Sequence, residues 1–298
     1  MTTGASSKRS LLKFYVLVFA LAVPFWLVGA VVEVEGLPMD LPVSVLMLVC
    51  PITAAWILVR RDEGPGGMRR LMKRVFDYRK ITRRIWYVPM ILLMPITLLL
   101  TYWMMRLTGV ASPEPSTALA EAPILVVAYF IAAVGEEAGW TGYAVDPMQG
   151  RWSALGTGLI MGSIWGVWHI VPYVQAHHPA VWVIGQTLGA IPLRVLIVWL
   201  YNNTAKSMFA AIVLHAMTNM SESIFPDYSS RFAPAVLTVI LAIAAVIVTL
   251  LWGSRTLARF NLGPVHPAKE SLFGTLEVRA VEVGTRLVRA RTRRPHHG

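Results

Sequence analysis

The sequence predicts an all-α polytopic integral membrane protein, with about eight transmembrane helices in one bundle and both termini cytoplasmic. Three observations point there. Of 298 residues, 56% are hydrophobic and only 14% are charged, against about 25% charged in a soluble domain. Mean hydropathy is +0.58, and long apolar runs alternate with short polar ones, as in a chain threading a bilayer. The connecting segments also alternate in charge in step with those runs.

The expected spans are 14–32, 41–59, 86–107, 122–143, 152–171, 180–201, 207–220 and 233–252. The first follows Lys8, Arg9 and Lys13. It is longer than the ~7–15 residues of a signal-peptide core, so an uncleaved span is expected. The next connection holds Glu33, Glu35 and Asp40 and no basic residue. The one after span two is dense in Arg and Lys from Arg60 to Arg84, and the one after span three holds Glu114 and Glu121. The segment after span eight is basic again, from Arg255 to Arg294. Basic connections stay on the cytoplasmic side, which fixes the even count and the placement of the termini.

The net charge of +11 is thus explained by the positive-inside rule and by anionic headgroups, and no nucleic-acid partner is expected. Anionic lipids are expected to meet the segment from Arg60 to Arg84 and the C-terminal tail. In that segment Leu71, Met72, Val75 and Phe76 suggest an amphipathic helix dipping into the inner leaflet. The organisation expected is a bundle over 1–252 with a catalytic core at about 122–220, and a basic, partly disordered cytoplasmic tail over 253–298. In that tail Val278, Val281, Val283 and Leu287 suggest a second interfacial helix. Cys50 is the sole cysteine, so no intramolecular disulfide forms. The bacterial plasma membrane is the expected location.

Ionisable residues inside spans cost about 2.5–3.5 kcal/mol on insertion scales and mark function by default. Glu136 and Glu137 stand in the second half of span four, about 100° apart on a helix, so they take different roles. His169 in span five follows Gly158, Gly162 and Gly166, a small-residue face that permits close helix contact. His215 and Asn219 in span seven are four apart and share a face. Each has a bland alternative: a polar span end, a histidine on a backbone carbonyl, interhelical glue. Arg194, after Pro192 in span six, either snorkels or pairs with a carboxylate. His177 and His178 fall in a connection and read as solvated.

A carboxylate, two imidazoles and a carboxamide suffice for peptide hydrolysis without a nucleophilic side chain. A buried Glu activates water, aided by a His, and His and Asn donate to the oxyanion. No His-Glu-x-x-His zinc signature is present, and Ser163 lacks a Gly-x-Ser context. A metal site stays open as an alternative, with Glu136, His169 and His215 as a plausible set for a divalent ion such as Zn.

The motifs Glu136-Glu137 with Gly139-Trp140 and Gly142, then Trp165-x-x-Trp168-His169, then His215-x-x-x-Asn219, resemble those of the CPBP family. These are the CaaX-processing and bacteriocin-processing membrane endopeptidases, also called the Abi or Ras-converting type. Tyr201-Asn202-Asn203-Thr204 adds to the likeness, which covers about 122–220. The resemblance implies an eight-helix bundle with a cavity open to the cytoplasm. It implies that Glu136 with His169 activates water, that His215 and Asn219 stabilise the oxyanion, and that Glu137 supports them. Members of the family are often described as metalloproteases, but the glutamate mechanism needs no metal, and none is expected here; the resemblance implies a peptide or protein substrate at the membrane. One position departs: the family's first motif usually has Arg four residues after the second Glu, where this chain has Thr141. That leaves a non-catalytic scaffold or immunity protein as the main alternative. A transporter ranks behind, because the polar groups cluster in three spans.

Overall fold

The computed structural model describes residues 9–32, 42–109, 122–224 and 230–258. The structured elements are helical throughout these residues. Helix α1 is Leu11–Gly29, and a 3-10 stretch at Val43–Val49 leads into α2 at Cys50–Glu63. A short helix α3 at Pro65–Lys73 and three 3-10 turns precede α4 at Tyr87–Leu107. Helix α5 is Ala122–Gly139. It passes through a π-helical segment, Trp140–Val145, into α6 at Asp146–Gln149. Then come α7 at Ala154–Gln175, α8 at Ala180–Asn203, α9 at Met208–Ile224 and α10 at Ala233–Trp252.

Seven of these helical segments are long and apolar enough to cross a membrane. Helix α9, with 17 residues, is not among them. It is nevertheless central, with Met208, Ala211, Leu214 and His215 buried. The protein is a polytopic all-α membrane protein.

Small residues set the helix contacts. A Cβ on Gly158, Gly162 or Gly166 would come within 2.8, 2.6 and 2.4 Å of α8 atoms at Val195, Ile191 and Thr187. This falling register makes α7 and α8 antiparallel and lets their backbones touch. Gly135 and Gly139 meet the Leu48 and Pro51 carbonyls, so α5 runs parallel to α2. In the same way Gly185 and Gly189 meet Pro234 and Thr238, which makes α8 and α10 parallel.

The bundle therefore has two distinct ends. At the first, Arg9 bonds Glu63 at the end of α2. There also Gln149 bonds Asn202, and the Ala154 and Leu155 amides donate to the Arg255 and Ser254 carbonyls. At the second end, Gly29 lies against Gln175 and Ser44, and the Gln175 amide donates to the Trp26 carbonyl.

Three expectations change here. Leu71 and Val75 are buried in the protein core, while Phe76 is exposed and stacks on Phe130. Helix α3 thus packs Leu71 onto the first end of the bundle, with Arg69 and Arg70 exposed. It can do so because Leu71 packs over Gly142, where a Cβ would stand 2.8 Å away. Span four also runs past residue 143 to Gln149, through the π segment. The expected tail begins later as well: Asn203 donates to the Leu257 carbonyl, and Leu257 is fully buried. The proposed interfacial helix around Val278–Leu287 and the acidic connections around Glu35 and Glu114 lie outside the described residues.

Candidate active site

Three helices carry the candidate site residues. Glu136 and Glu137 come from α5, His169 from α7, and His215 and Asn219 from α9. Gly139 lets α5 reach this position, since a Cβ there would stand 2.4 Å from the Pro51 carbonyl oxygen.

The adjacent carboxylates are held differently. Glu137 is completely buried. Its Oε2 accepts from Arg194 Nη1 at 2.9 Å and from the Thr141 hydroxyl. Its Oε1 lies 3.0 Å from His215 Nδ1. Every side of this carboxylate is taken. Glu136 has one oxygen bound and one open. Its Oε2 accepts from the indole N–H groups of Trp165 at 2.7 Å and Trp140 at 3.3 Å. Its Oε1 lies 4.0 Å from His169 Nε2 and 4.0 Å from His215 Nε2.

Both imidazoles have their tautomers set by these contacts. His169 Nδ1 is 2.9 Å from the Trp165 carbonyl. A carbonyl can only accept, so Nδ1 carries the proton. Glu137 imposes the same choice on His215. The two Nε2 atoms thus turn toward the open oxygen of Glu136. A 4.0 Å gap is too long for a direct hydrogen bond and suits a bridging water. Asn219, one turn beyond His215 and half-buried, has no hydrogen bond to its carboxamide among the described residues.

Glu136, His169 and His215 are set wider than a zinc ligand set. Tetrahedral ligands at about 2.0–2.1 Å from Zn lie roughly 3.4 Å apart, whereas both carboxylate-to-imidazole separations here are 4.0 Å. No group of three or more His, Cys, Asp or Glu among the described residues is arranged for a metal.

Three supports surround the two carboxylates, and the sequence pointed to one of them, leaving Arg194 either to snorkel or to pair with a carboxylate. Arg194 pairs with Glu137 and lies 4.4 Å from the Trp165 ring centroid. It takes up the ion pair that an arginine at position 141 was expected to make, and Thr141 supplies a hydroxyl to the same oxygen. Trp140 and Trp165 hold Glu136, and their place in the motifs was the only sign of it. The third support is the cap on the π segment. Its altered register turns the Gly142 and Tyr143 carbonyls outward. Arg9 donates to both, at 3.0 and 3.1 Å, and Arg74 to Gly142 at 3.1 Å. Arg74 also donates to the Tyr201 hydroxyl, which donates to Asp146. Burial works against the Arg74 charge, but Tyr201 and Asp146 outweigh it and raise its pKa.

Other polar residues fall away from the site. Ser163 is exposed and bonds its own helix. It lines an apolar groove of about 540 Å³ with Tyr15, Phe19 and Val167, and no site residue lines that groove. His178, expected to be solvated, stacks on Trp182 at 3.6 Å.

Residues 118–221 match the profile of the family described as Type II CAAX prenyl endopeptidase Rce1-like. CAAX prenyl protease 2 of Methanococcus maripaludis is 23% identical over 229 residues, covering 71% of this chain and 83% of that protein. Residues 118–221 are thus similar to a CPBP-type endopeptidase domain. Every site residue named above falls inside this matched segment, and Arg9 and Arg74 fall outside it.

Proposed function

We propose that the protein is an intramembrane endopeptidase that hydrolyses peptide bonds with a water held between Glu136 and the two histidines. The observation that carries this is the open Oε1 of Glu136, 4.0 Å from each Nε2. Glu136 Oε1 takes a proton from the water as its oxygen bonds to the peptide carbonyl carbon. His169 orients that water through Nε2. The carbonyl oxygen becomes an oxyanion and is met by the Asn219 amide and by a proton on His215 Nε2.

That proton has a physical source. Glu136, Glu137 and Arg194 together leave one uncompensated negative charge, and an imidazolium at His215 cancels it. Glu137 and Arg194 are positioning residues, since they act through His215. When the intermediate collapses, the C–N bond breaks and the proton on Glu136 passes to the leaving nitrogen. Nothing in this sequence requires a metal, and the separations favour none. Chelation is expected to leave cleavage by purified protein unchanged; loss of activity restored by added zinc would move the mechanism to the metal alternative.

The exposed arginines of the 60–84 segment, Arg60, Arg61 and Arg69 among them, are proposed to rest on anionic headgroups. The test of the activity compares peptide termini in membranes containing wild type or Glu136→Gln at matched expression. New C-termini found only with wild type support the endopeptidase. Identical termini in both, where the protein is folded and expressed, would favour the scaffold.

A further inference from the structure

The relative is named for prenylated CAAX peptides, and the family resemblance implies entry from the cytoplasm. The two ends of this bundle argue otherwise. Between the glutamates and the first end stands a closed layer. Trp140, Tyr143, Tyr201 and Met208 are fully buried there. Arg9 and Arg74 clamp the π segment beneath them. Along α9, everything from Met208 to Leu214 is apolar.

At His215 the character of α9 reverses. His215, Asn219 and Glu222 stand at i, i+4 and i+7 on one face, and Ser223 follows. Asn219, Glu222 and Ser223 are half-buried, in contrast to His215. His169 is also more accessible than Glu136 or His215, at 18% of its side chain against 8% and 3%. It stacks on half-buried Tyr173, one turn closer to the second end. From His169 the second end is about two turns away at Gln175, and the first end about four turns away at Ala154.

Charge identifies the ends. The first carries Arg9, Arg60, Arg69, Arg74, Arg84 and Lys206. Among the described residues the second has only Arg106 and Arg231 near it. The two longer connections that join there, 33–41 and 110–121, bring Glu33, Glu35, Asp40, Glu114 and Glu121 without a Lys or Arg. By the positive-inside rule the first end is cytoplasmic.

We infer that the catalytic pocket opens at the second end, on the non-cytoplasmic face, along the Asn219–Glu222 face of α9. Its substrates are then peptide segments exposed outside the cytoplasm, not cytoplasmic lipid-modified C-termini. This rests on the endopeptidase reading for what the pocket does, but the direction of opening is testable without it.

The experiment places single cysteines in a Cys50→Ser background: Ala180→Cys at the second end, Arg69→Cys at the first, and Ser223→Cys at the mouth. Intact cells are treated with a membrane-impermeant maleimide. We expect Ala180→Cys and Ser223→Cys to label in intact cells, and Arg69→Cys only after permeabilisation, at least 10-fold more than before. Labelling of Arg69→Cys in intact cells with Ala180→Cys protected overturns the orientation. Labelling of Ala180→Cys but not Ser223→Cys, before or after permeabilisation, overturns the mouth. In cells where wild-type-dependent cleavage occurs, modification of Ser223→Cys from outside should reduce it at least 10-fold, and unchanged cleavage overturns the route. Absence of any wild-type-dependent cleavage counts against the activity alone, since the labelling pattern reads access by itself.

Discussion

Glu136 and Glu137 are neighbours in the chain, yet their surroundings have little in common. Glu137 is enclosed by a guanidinium, a hydroxyl and an imidazole, with no exposed surface. Glu136 spends one oxygen on two indole N–H groups and leaves the other facing two imidazole nitrogens across gaps of 4.0 Å. A carboxylate with all its acceptor sites filled holds other groups still. One with a free oxygen beside a water-sized gap can move a proton. The difference arises from helix geometry, because a 100° step between adjacent residues points one side chain at α8 and the other between α7 and α9.

The largest effect expected from this contrast is on turnover. Glu136→Gln keeps both indole contacts and removes the base, so peptide cleavage should fall about 10²–10⁴-fold with the unfolding temperature nearly unchanged. Equal activity in the variant would show that the open oxygen is not the base. Asn219→Ala should lower kcat about 10²–10³-fold, the typical loss for one oxyanion donor, with a smaller change in KM. A change confined to KM would instead make Asn219 a substrate-binding group.

Much of this was legible in the sequence because insertion into a bilayer makes polar residues conspicuous. Glu136, Glu137, His169, His215 and Asn219 stood out against apolar runs, and the structure brings the two carboxylates and two imidazoles together, with Asn219 one turn along α9 from His215. The glycines at 158, 162 and 166 announced a tight helix pair, though they serve α8 while His169 faces α5. What was not legible depends on angles that spacing does not encode. Thr141 read as a loss, because the chain offered Arg194 as a carboxylate partner without telling which carboxylate it reaches. The π segment was invisible because no sequence pattern announces its i→i+5 bonds. The arginines that cap it, Arg9 and Arg74, read only as inner-leaflet charge. The 71–76 stretch was assigned to the leaflet by its amphipathic pattern, which does not distinguish a lipid surface from the apolar end of the protein itself.

Effects on Glu137 should appear first in stability. Arg194→Met leaves that carboxylate buried beside one fewer cation. Removing one partner of a buried ion pair costs about 3–5 kcal/mol, read as a lower unfolding temperature in detergent. Activity should fall too, because Glu137, which holds His215, is no longer fixed by the guanidinium. Retained stability with Arg194→Met would mean the guanidinium is incidental and the expected motif arginine has no substitute.

Thr141→Val is the finest probe of the same carboxylate. Valine keeps the shape of threonine and removes only the hydroxyl that donates to Glu137 Oε2. Arg194 still holds that oxygen and His215 the other, so the charge stays paired. The expected loss is that of one hydrogen bond to a charged group, about 1.5–3 kcal/mol, below the loss in Arg194→Met. Installing the family's arginine as Thr141→Arg should destabilise the wild-type background, where a second guanidinium would crowd a single buried carboxylate. In the Arg194→Met background the same change should recover stability, because it restores one cation to one anion. If Thr141→Val costs as much as Arg194→Met, the hydroxyl and not the ion pair holds Glu137, and the division of labour between the two carboxylates has to be redrawn.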